Sequence, residues 1–147
     1  MLVKTYIILP LVISAFERDA AIMSAQLRTP APYVEVLRKA GNTAAADLRD
    51  VRAEMRSRGL KVYEQNRLDS GVEAKFLCRG YHERMLLLYD VITVQAAIHM
   101  RSYLGLDISE YKSHEEQYRL NSGRQASTFR PEIAHKRQGL TSPPKHK

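Results

Sequence analysis

Between residues 32 and 58, Val34, Leu37, Gly41, Ala44, Leu48, Val51 and Met55 recur at alternating steps of three and four. That spacing holds them on one stripe of a helix. A helix with a single apolar stripe has little stability alone in water and must bury the stripe against another element. The middle of the stripe is small, at Gly41 and Ala44, so a partner helix can approach closely there. Gly41 weakens the helix by about 1 kcal/mol. Gly59 supplies its C-terminal cap.

The obvious partner lies just upstream. Residues 3–27 open with the apolar run TYIILPLVISAF and continue with Phe16, Ala20, Ile22 and Met23 at helical spacing. Thr29-Pro30-Ala31-Pro32 stops this helix and starts the next, so the two form an antiparallel hairpin across a short loop. Pro10 either kinks the first helix or marks its first turn. Lys4 before the apolar run has the outline of a signal peptide, but the run is broken by Pro10 and ends at once in Glu17-Arg18-Asp19. A membrane-spanning helix needs about 20 apolar residues, so the run reads as a buried core segment and no transmembrane segment is expected.

Residues 60–80 change character. Val72, Ala74, Phe76 and Cys78 alternate with Glu73, Lys75 and Arg79, and Asp69-Ser70-Gly71 offers turn chemistry between two such runs. A two-stranded β-ribbon is expected, with a short helix over 71–80 as the competing reading. Residues 81–104 are apolar around much of a helical circumference and predict a long, buried, central helix ended by Gly105. Beyond Ile108 the chain becomes polar, basic and proline-bearing, as expected of a mostly disordered tail with a possible helical turn over 110–120. The fold class is therefore mainly α: one helical domain over 1–108 and a basic tail over 109–147.

At 147 residues the chain has the length of one domain. A single cysteine, Cys78, forms no internal disulfide, which points to a reducing, cytoplasmic setting. The formal net charge of +7 favours polyanionic partners. Residues 109–147 hold eight basic and four acidic residues, leaving only +3 to the folded part.

Nothing in the chain matches a phosphate-cradling glycine loop, a zinc-ligand spacing, a nucleophile elbow or a dinucleotide fingerprint. No catalytic, cofactor-binding or metal-binding residue is assigned, no cofactor is implied, and the chain is not read as an enzyme. If the helix of residues 81–104 forms, His82 and His99 lie nearly 100° apart around it and make no metal pair. Arg79, Tyr81, His82, Glu83 and Arg84 gather where the second strand would meet that helix, and read as a structural corner ahead of a binding patch or a general acid/base pair. Arg49, Arg52 and Arg56 line one flank of the second helix; with Asp50 and Glu54 interleaved, and Glu54 able to pair with Arg58, they read as a solvated face.

YIILPLV with Arg18-Asp19 after it, Pro32-Tyr33, the basic run through Met55 to Arg58, Arg79-Gly80-Tyr81 and Tyr103-Leu104 together resemble the YhjD-like family of short uncharacterised proteins from Gram-positive spore-formers. The resemblance covers about residues 4–104. It implies an intracellular protein with a link to sporulation and no catalytic residues to carry over. The expected function is that of a small non-enzymatic interaction or regulatory protein, meeting a protein partner or a second copy through its helix seams. The alternative is a nucleic-acid binder of winged-helix type, with the ribbon as the wing.

Overall fold

The structure is a computed structural model and describes residues 2–111. The expected tail from residue 112 onward lies outside the described residues. Two long helices, α1 (Leu2–Gln26) and α2 (Ala31–Ser57), are followed by three strands, β1 (Leu60–Arg67), β2 (Gly71–Cys78) and β3 (Tyr81–Leu88), and a last helix, α3 (Tyr89–Tyr103). The fold is mainly helical.

The helical hairpin forms as its pattern requires. Phe16 of α1 faces Gly41 of α2, where a Cβ on the glycine would sit 3.7 Å from the Phe16 Cβ. Arg52 near the far end of α2 lies over the ring of Tyr6 near the start of α1, so the helices run antiparallel. Ala40, Ala44, Leu48 and Met55 are buried, which places the α2 seam inside the chain's own core. Pro10 stands well inside α1. It removes one backbone donor there, and the helix continues through it, wedged among buried neighbours.

The start of α1 is the centre of the core. Val3, Ile8, Leu9, Val12 and Phe16 are among the most deeply buried side chains. Val3, Ile8, Val12 and Phe16 pack with Ala40, Ala44 and Met55 of α2, Val72, Ala74 and Phe76 of β2, Leu87 of β3 and Ile92 of α3. The apolar run therefore behaves as core. Among the described residues, no helix is long and apolar enough to cross a membrane.

The ribbon is larger than the two strands expected. A third strand occupies residues 81–88, giving an antiparallel meander in the order β1-β2-β3. Cys78 pairs with Tyr81, so Arg79 and Gly80 alone make the turn, both with positive φ (50° and 85°). Two such residues form the tight hairpin turn whose twist matches that of the strands. The last helix accordingly begins at Tyr89 instead of near residue 81 and is only 15 residues long. Nor is it the buried centre: Ile92 alone is fully buried along it. Leucine-rich residues 85–88 satisfy helix propensity, but pairing with β2 supplies both a hydrogen-bonded ladder and a core position for Leu87.

Gly71 explains how tightly the sheet closes on itself. A Cβ there would run into the Leu87 carbonyl oxygen, and the Tyr89 amide donates to the Ser70 carbonyl at 3.0 Å. The β1–β2 turn thus packs against the β3–α3 junction. In β1, the register shifts between Val62 and Glu64, leaving Tyr63 as a bulge. Val62 pairs with Phe76 on the core side, and Glu64 then falls opposite Lys75 on the outer side.

Candidate functional site

Side chains with chemistry converge most closely where α2 and α3 meet over the start of α1. A cleft of about 340 Å³ is lined by Thr5, Leu9, Asp47, Asp50, Val51, His99, Ser102 and Tyr103. The Tyr103 hydroxyl donates to Asp47 Oδ2 at 2.7 Å, joining residues 56 positions apart. Burial and the adjoining Asp47 carboxylate push the Tyr103 phenol well above the ordinary tyrosine range. The phenol thus stays protonated and the carboxylate stays occupied, so the pair acts as a lock between α2 and α3. His99 stacks on Tyr103, one turn away on the same side of α3, at 6.4 Å between ring centroids.

His82 is on β3 and His99 on α3, so the helical angle between them does not apply. Among the described residues, no three His, Cys, Asp or Glu side chains come together as a metal site. Arg79 to Arg84 are divided by the strand's alternation. Tyr81 and Glu83 pair with Cys78 and Phe76, whereas His82 and Arg84 lie on the outer face. There Tyr63 bonds to His82 Nδ1 at 3.1 Å, Arg84 meets Glu73 at 3.2 Å, and Lys75 meets Glu64 at 3.2 Å. Asn66 and Lys75, donating to Glu64, hold its carboxyl below the usual range. On this outer face Glu73 and Glu64 each hold one base. Cys78 is half-buried at the edge of the core.

The far end of the hairpin is different in kind. Ile22, Leu27, Tyr33 and Val36 are 48%, 41%, 58% and 53% exposed. With Phe16 beside Gly41, Ile22 comes level with the first turns of α2. A shallow depression of about 710 Å³ runs along a separate flank of α2, past Ala31, Val34, Glu35, Arg38 and Lys39. The sequence pattern marked Ile22 as part of a helical face but gave no means of telling that this stretch of the face stays uncovered.

The family described as "YhjD protein" matches residues 1–108, about three-quarters of the chain. The chain belongs to the YhjD family. Within it, the uncharacterized protein YhjD of Bacillus subtilis (strain 168) is 31% identical over 83 residues, covering 56% of this chain and 69% of that protein. No solved structure matches the chain. The family match spans the hairpin, the whole sheet and α3, so the α2–α3 lock and the bare hairpin end both fall within it.

Proposed function

We propose that this YhjD-family chain is a small, non-enzymatic interaction or regulatory protein of the cytoplasm, and that it works by pairing with a second copy through the open end of the α1–α2 hairpin. The cluster of exposed apolar side chains at Ile22, Leu27, Tyr33 and Val36 carries this reading. Single exposed hydrophobics are ordinary on a protein surface, whereas a cluster rimmed by polar residues marks an interaction site. The α2 seam is already filled by α1, so a partner meets these outer residues instead.

Charge favours a second copy as the occupant. Residues 17–39 hold four basic and three acidic side chains, so this end is near balance within a chain of +7. Two copies meeting across a twofold axis face little repulsion there, and each can set its acids against the other's bases. A link to sporulation rests on the family resemblance alone. Light scattering behind size exclusion tests the reading: the native chain should run as a dimer, and Y33S/V36S as a monomer with an unchanged circular dichroism spectrum. A native chain that stays monomeric at every concentration would overturn it.

A further inference from the structure

The sequence interleaves acids and arginines along the second half of α2, but the helix separates them. At 100° per residue, Arg49, Arg52 and Arg56 fall within about 60° of one another, and Asp47, Asp50 and Glu54 share an arc centred about 160° away. Two contacts fix these flanks in space. Asp47 bonds to Tyr103, which turns the acidic flank toward α3, and Arg52 lies over Tyr6, which turns the arginine flank toward the other side of α1. Tyr6, Pro10 and Ile13, which share that side of α1 by helical spacing, are uncharged.

Among the described residues, Arg18 pairs with Asp19, Arg58 with Glu54, Lys75 with Glu64 and Arg84 with Glu73. Arg49, Arg56 and Arg79 make no ion pair with a described residue. Arg79 continues the ridge, because its side chain abuts Gly59, three residues after Arg56. All four of these arginines are exposed.

We propose that this ridge, Arg49, Arg52, Arg56 and Arg79, binds the phosphate backbone of nucleic acid. Arg49 and Arg56 are about 10 Å apart along the helix axis. Over that distance one strand of a duplex presents about three phosphates. The ridge holds arginine only, whose planar fork accepts two phosphate oxygens at once. A helix that lies on a lipid surface needs large apolar side chains beside its bases. Here the positions beside the arginines on that flank carry Ala45 and Ala53, and the apolar stripe of α2 is buried against α1. The chemistry is recognition of backbone charge without base reading, and it is independent of pairing at the hairpin end.

Fluorescence anisotropy of the full chain on a short DNA duplex tests this. With about four phosphate contacts, affinity should fall about 100-fold between about 50 and 200 mM salt. R49Q/R52Q/R56Q should lose at least tenfold in affinity at the lower salt and keep only about a fourfold salt dependence. R49Q/R56Q, which leaves Arg52 on Tyr6, should show most of that loss with an unchanged melting temperature. K136Q/R137Q/K145Q removes equal charge from the tail and should retain the native salt slope to within about one contact. The proposal is overturned if the duplex is not bound, if the ridge and tail variants weaken it equally, or if vesicles containing phosphatidylserine are bound in preference to DNA.

Discussion

At one end of the α1–α2 hairpin, Val3, Ile8, Val12 and Met55 disappear beneath the sheet and α3; at the other, Ile22, Leu27, Tyr33 and Val36 stand in solvent. Both ends carry apolar side chains at helical spacing. The difference is cover. The sheet and α3 follow from the end of α2, so they fold back over the half of the hairpin where α2 finishes and α1 begins. Local sequence sets the helices, and topology decides which half of them is core and which half is surface.

Substitution should separate the two ends by the largest margin. Phe16→Ala, in the covered half, should cost about 3–5 kcal/mol in urea unfolding. Ile22→Ala should stay within about 0.5 kcal/mol at a concentration where the chain is monomeric. Equal losses at the two sites would erase the distinction.

Closure of the covered end depends on Gly71. Gly71→Ala should cost about 2 kcal/mol or more, since the new methyl meets the backbone of Leu87 with no flexible side chain to give way. The unfolding midpoint measures it, and a neutral result would mean that the β1–β2 turn packs less closely on β3.

The α2–α3 lock gives a smaller effect with a pH signature. Tyr103→Phe should cost about 1 kcal/mol at neutral pH by removing the bond to Asp47. The folded phenol's pKa is raised above its unfolded value of 10.0, so the lock contributes fully below that pH and is lost as pH rises through the folded value. Native stability should therefore decline in strongly alkaline solution, and Y103F should remove part of the decline. Melting temperatures of both proteins across that range test the sign.

Least of all, Arg79→Asn should stabilise the β2–β3 turn by about 0.5 kcal/mol, because asparagine accepts the left-handed conformation that arginine resists. The Arg79 amide that donates to the Gly59 carbonyl is backbone and survives the change.

Much of this architecture was legible in the sequence, for identifiable reasons. The α2 stripe, the prolines between the helices, Gly59 as a cap and Asp69-Ser70-Gly71 as a turn are local signals, and each marks the feature that forms. β3 was not legible. Its residues 85–88 run without a break into α3, and no glycine or proline marks where strand becomes helix. The one sign was Arg79-Gly80 as a two-residue turn, obscured because arginine is an unusual choice there. The Asp47–Tyr103 lock joins two helices across 56 residues, and helical periodicity carries no information about such a pairing. The arginines of α2 are exposed and Glu54 pairs with Arg58, as a solvated face requires, but their gathering on one flank is hidden in the sequence because alternation along a chain is not alternation around a helix. Arg49 and Asp50 are neighbours in the chain and lie on different flanks of α2.

Hydrogen exchange at low and high protein concentration tests the contrast between the hairpin ends most directly. Amides of residues 20–36 should gain protection as concentration rises, whereas those of residues 3–16 should exchange slowly and at the same rate throughout. Exchange that is independent of concentration over residues 20–36 would contradict the reading of the open end as the surface where two copies meet.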